Sequence, residues 1–91
     1  MTAVFVHPRV MERHAELTEN DVVSAWRNAL QVARRDSDEA IYYVAVGSDA
    51  NGRLIEMVAL CNEDDFLIYH AMTPPSKRTM KELRLRGRRG R

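Results

Sequence analysis

Residues 41–72 decide the fold: Ile41-Tyr42-Tyr43-Val44-Ala45-Val46, the turn Asp49-Ala50-Asn51-Gly52, Arg53-Leu54-Ile55-Glu56-Met57-Val58-Ala59-Leu60, a second turn Asn62-Glu63-Asp64-Asp65, and Phe66-Leu67-Ile68-Tyr69-His70-Ala71-Met72. The first block is a continuous β-prone run, the pattern of a central strand. Asn51-Gly52 is a strong hairpin signal. The second turn is equally short. Connections of this length leave no room for a crossover, so the three strands are expected to run antiparallel as a meander.

Upstream, Ala3-Val4-Phe5-Val6 reads as a short strand or a packed arm. Pro8, at a first helical position, suits a helix through about Leu17, with Val10, Met11, His14 and Leu17 on one face. Thr18-Glu19-Asn20-Asp21 reads as a capping box. A second helix is expected from there to about Arg34, with Val22, Val23, Trp26, Leu30 and Ala33 as its buried stripe. Its last turn, Arg34-Arg35, has the charge a helix C-terminus favours. Downstream, Thr73-Pro74-Pro75 stops the sheet. A final helix starts near Ser76, pinned by Met80 and Leu83. The expected order is (β)-α-α-β-β-β-α, an α+β domain with helices stacked on one face of an antiparallel sheet.

The 91 residues are expected to make one small domain at 1–86, followed by a basic tail at 87–91 that lacks packing residues and is expected to be mobile. No apolar run approaches the length of a membrane span, and no basic-then-apolar export signal opens the chain. Cys61 is the only cysteine, so no intrachain disulfide can form and a reducing, cytoplasmic setting is expected. The formal charge of +1 hides a segregation. From Ser76 onward, eight Lys and Arg face Glu82 alone, for +7; the preceding residues hold six arginines and twelve acids, for −6. Such a split marks a contact surface for a polyanion or an acidic partner.

Several local matches, in this order, resemble the BrnT family of bacterial toxins, which share the RelE-like ribonuclease fold. Arg13-His14-Ala15 ahead of Thr18 looks like the family's lysine-histidine-glycine segment before its second helix. Val44-Ala45-Val46-Gly47, the turn and Gly52-Arg53-Leu54 look like its strand-turn-Gly-Arg hairpin. Ile68-Tyr69-His70-Ala71-Met72 with Lys77-Arg78 and Glu82 looks like its last strand and basic helix. The matches run from about His7 to Leu85. Leu67 and Met72 stand where the family has two arginines tied to toxicity.

The resemblance implies a ribonuclease toxin of a type II toxin–antitoxin module, inhibiting translation by RNA cleavage that needs neither metal nor cofactor. Its partners would be RNA and a ribbon-helix-helix antitoxin. Such cleavage requires a base near the 2′-hydroxyl, cations around the phosphate and an acid for the leaving oxygen. Arg53 is the family-matched cation, able to clamp two phosphate oxygens. His70 carries an imidazole, the side chain suited to proton transfer near neutral pH, and is the candidate acid or base. Glu56, the one charge inside the second strand, is expected to approach both His70 and Arg53 and to orient the ring. Arg78 completes the catalytic set. Lys77, Lys81, Arg84 and Arg86 are the RNA- or antitoxin-binding residues.

The bland readings are a solvated turn arginine, a hydrogen-bonded core histidine and a solubilising helix. His14 fits a structural role between helix and sheet, and His7 and His14 lack the spacing of a zinc site. Tyr42, Tyr43 and Tyr69 could stack on bases if exposed but are expected to be buried strand tyrosines, and Cys61 lacks an activating neighbour. Two alternatives stand beside the enzyme. One is a catalytically inactive toxin-like module that binds nucleic acid. The other is an interaction domain whose basic end docks on an acidic protein.

Overall fold

The structure, a computed structural model, describes residues 3–85. The meander is present as β3 (Ile41–Ser48), β4 (Leu54–Asn62) and β5 (Asp65–Met72), all antiparallel. Asn51-Gly52 closes the first hairpin. Gly52 has φ +85°, a left-handed conformation that costs glycine little. The Asp49 carboxylate accepts the Asn51 and Arg53 amides at 2.9 Å each, which fixes the turn from within.

Two further strands widen the sheet to five, in the order β1-β5-β4-β3-β2. β1 (Val4–Val6) lies parallel to β5, so the sheet is mixed rather than wholly antiparallel. β2 (Ala29–Asp36) lies antiparallel to β3 and forms the other edge. Its existence corrects the expected second helix. α2 runs only from Glu19 to Arg27 and ends at Asn28. Leu30 and Ala33 continue the helical spacing of Val22 and Trp26, but the β3 backbone offers them a ladder, and pairing with it outweighs propensity. Leu30 and Val32 are left exposed on that edge.

α2 opens with the expected capping box: the Asp21 amide bonds Thr18 Oγ1 at 3.1 Å and the Thr18 amide bonds Asp21 Oδ2 at 2.9 Å. α1 is shorter than the pattern predicts, Arg9–Arg13, and ends where His14 leaves helical geometry at φ −131°, ψ 79°. Both helices cover one face of the sheet. Val10, Leu17, Val22 and Ala25 meet Ala45, Ile55, Met57, Ile68 and Ala71 there. A fully buried Leu, Ile or Met contributes about 1.5–3 kcal/mol, which holds helices too short to persist alone. Trp26 packs on Phe66, and Phe66 on Tyr43, each pair with ring centroids 5.3 Å apart. α2 approaches β3 so closely that a Cβ on Gly47 would overlap the Ala25 carbonyl oxygen.

α3 (Lys77–Glu82) starts as expected, with Ser76 as its cap: the Thr79 amide donates to Ser76 Oγ at 3.2 Å. It lies over the opposite face of the sheet from α1 and α2, so the helices are not all on one face. None of the described helices is long and apolar enough to cross a membrane.

Candidate functional site

Strand alternation sorts the open face into three transverse rows. Pairing aligns Arg35, Tyr42, Leu60, Leu67 and Phe5 across all five strands. Next come Ala33, Val44, Val58 and His70, then Gln31, Val46, Glu56 and Met72. α3 sits over the last row, where Val46 and Glu56 are buried. Between helix and sheet an open groove of about 470 Å³ is lined by Arg35, Val58, Arg78 and Glu82, with Glu56 and Ser76 at its base.

Glu56 is the hub. Its Oε1 accepts the Ser76 amide at 2.9 Å and the Ser76 hydroxyl at 2.8 Å, and its Oε2 lies 2.9 Å from His70 Nε2. Burial alone would push this carboxyl up. The Ser76 amide, the His70 ring and the Ser76 hydroxyl outweigh it and hold the group below the ordinary carboxylate range. An ionised Glu56 makes His70 Nε2 a donor, which leaves Nδ1 as the basic nitrogen of the neutral ring. The His70 side chain is 36% exposed, enough for a ligand to reach it.

Arg53 is not part of this arrangement. It precedes Ile55 by two residues and turns to the helix-covered side. Its Nε bonds Asp49 Oδ2 at 2.8 Å, Nη1 bonds the Glu16 carbonyl at 3.2 Å and Nη2 bonds Asp21 Oδ2 at 3.0 Å. The guanidinium therefore ties the β3–β4 turn to the start of α2. The expected approach of Arg53 to His70 and Glu56 is overturned: the sheet stands between them. The physical reason is the parity of β4, which sends Arg53 and Glu56, three residues apart, to opposite faces.

Of the other expected residues, Arg78 lines the groove, and Lys77, Arg78, Lys81 and Arg84 are all exposed. Arg86 and the tail lie outside the described residues. Arg35 is an addition. Its Nε donates to Glu82 Oε2 at 2.9 Å and its Nη2 bonds Glu82 Oε1. The Glu82 hydrogen bond raises the arginine above its ordinary value. A sequence reading that ends a helix at Arg34-Arg35 hides this residue, because its position on the open face depends on β2 being a strand.

Among the described residues, no three His, Cys, Asp or Glu side chains gather as metal ligands. Cys61 Sγ lies 3.5 Å from the Glu63 carbonyl oxygen, close enough for a weak thiol donor. Tyr42, Tyr43 and Tyr69 are half-buried rather than buried. What the fold and the groove define together is a small α+β protein with a five-stranded mixed sheet, helix-covered on one side and flanked by a cationic helix on the other. No family model, curated protein or solved structure matches this chain.

Proposed function

We propose that the chain is a RelE/BrnT-like scaffold that binds RNA through its open sheet face and α3, as a module of a bacterial toxin–antitoxin pair in the cytoplasm. The observation that carries this reading is the exposed cation set Lys77, Arg78, Lys81 and Arg84 beside a groove on the half-open face. Phosphate contacts of this kind supply affinity without demanding chemistry. Binding is favoured over cleavage because the cation with the clearest family match, Arg53, is engaged by Asp49 and Asp21 on the other side of the sheet. A ribbon-helix-helix antitoxin is the protein partner that the resemblance implies.

The test is titration of a labelled single-stranded RNA at several salt concentrations. Four phosphate contacts on a single strand give a log–log salt slope of about −3. No RNA binding at low salt would remove the proposal.

One observation favours a second reading, the ribonuclease. His70 is oriented by Glu56, a buried carboxylate that also lines the groove holding Arg35 and Arg78. In this reading Nδ1 accepts the proton of a 2′-hydroxyl as that oxygen attacks the adjacent phosphorus. The P–O5′ bond breaks, and the leaving oxygen takes a proton from solvent. Arg78 supplies the charge complement at the phosphate. Expression of the chain alone in a bacterial host separates the readings. Growth arrest with RNA loss, relieved by His70→Ala but not by Arg53→Ala, supports the enzyme. Harmless expression together with RNA binding in vitro supports the module.

A further inference from the structure

Resting on the RNA reading, we propose that the ligand is single-stranded and that its bases stack on the transverse row Tyr42–Leu60–Leu67–Phe5. The row is continuous by register: Tyr42 faces Leu60, Leu60 faces Leu67, and Leu67 faces Phe5. Three strand spacings of about 4.8 Å make it roughly 14 Å long. An aromatic ring stands at each end. Phe5 is 54% exposed while its neighbours Val4 and Val6 pack against the core, so the chain directs this one large apolar side chain outward. Tyr69, the extra residue at the irregularity between β4 and β5, brings a second ring to Tyr42, with centroids 6.3 Å apart at 68°.

Charge selects the occupant. The row ends on Arg35, whose guanidinium is held by Glu82 of α3. Lys81 is the neighbour of Glu82 in the chain, and Lys77 and Arg78 lie a turn earlier. An apolar, aromatic strip with Arg35 at one end, joined there through Glu82 to a cationic helix, suits a polymer with flat faces and an anionic backbone. Sheets with helices behind and aromatic residues in front bind unpaired bases in this way. A duplex hides its base faces within its own stack and can offer the row only its backbone. Stacking is tolerant of sequence, because every base has a π-face.

The experiment compares three probes by fluorescence anisotropy: a short single-stranded RNA, the same RNA as a duplex, and inorganic polyphosphate as a competitor. The expected result is tightest binding to the single strand. Phe5→Ala and Tyr42→Leu each weaken it by about fivefold or more and leave polyphosphate competition unchanged. Lys77→Ala with Lys81→Ala weakens all three. Phe5 is exposed, so its variant folds, and circular dichroism checks Tyr42→Leu. Equal binding of duplex and single strand, or wild-type affinity in both aromatic variants, overturns the inference while the RNA reading survives. Absence of binding to every probe removes both. Self-association of the wild type that Phe5→Ala abolishes, with RNA affinity unchanged, makes the row a protein interface and also overturns it.

Discussion

Glu56 caps α3 from the sheet: its carboxylate takes both the amide and the hydroxyl of Ser76 across twenty residues of chain. A buried acceptor with three donors is costly to remove, because each donor is then left unpaired. Glu56→Ala is therefore expected to destabilise the fold by about 2–3 kcal/mol, with Glu56→Gln less severe. Urea unfolding measures both.

The same carboxylate sets an acid limit. Its folded pKa lies below the unfolded value, so its contribution is complete above the ordinary carboxylate range. That contribution is lost as the pH falls through the depressed folded value. Asp49 acts in the same sense: burial pushes it up, but the Arg53 side chain and the amides of Arg53 and Asn51 hold it down. Stability measured against pH should fall on the acid side, and the fall should be shallower in Glu56→Gln. An unchanged profile in that variant would refute the assignment.

Arg53 is expected to behave as a structural residue. Arg53→Ala removes its bonds to Asp49, Asp21 and the Glu16 carbonyl. The side chain is about one-third exposed, so the loss is moderated by solvent. We expect about 1–2 kcal/mol of destabilisation and RNA affinity within about twofold of wild type, a difference of under half a kcal/mol. A large loss of affinity without a loss of stability would return Arg53 to the binding surface.

Gly47→Ala tests the contact between α2 and β3. The added methyl would meet the Ala25 carbonyl oxygen, a backbone atom that cannot rotate away. Either α2 shifts or the β3 ladder does. The expected cost is about 3 kcal/mol or more, read as a lowered midpoint in thermal or urea unfolding. A neutral substitution would mean that α2 is not seated as described.

Lys77→Ala combined with Lys81→Ala should flatten the salt dependence of RNA binding by roughly 1.4, the value for two fewer single-strand phosphate contacts. Folding should be unaffected, since both side chains are exposed. An unaltered slope would place the phosphates elsewhere.

Much of this architecture was legible in the sequence. Asn51-Gly52, Thr18 with Asp21, and Ser76 after two prolines each carry a local signal that the structure follows. The hairpin that brings β4 beside β5 was legible, but strict alternation would leave His70 on the face of Phe66 and Ile68; the irregularity between Val58 and Ala59 turns it to Glu56. What stayed hidden depends on long-range pairing. The stretch from Ala29 to Asp36 satisfies a helical spacing as well as a strand, and only the β3 edge decides between them. Arg35 enters the groove as a consequence of that choice. Arg53 leaves it through a parity that depends on where β4 begins, a boundary set by the Asp49 turn.

β2 brings a hazard with it. Among the described residues no strand pairs with its outer edge, which can template another chain, and Leu30 and Val32 advertise that margin to hydrophobic neighbours. Arg34 and Arg35, ion-paired with Asp36 and Glu82, set charged groups on that edge, the kind of residue that disfavours strand-to-strand stacking. Apolar replacements at these two positions would therefore lengthen a sticky margin without touching the core.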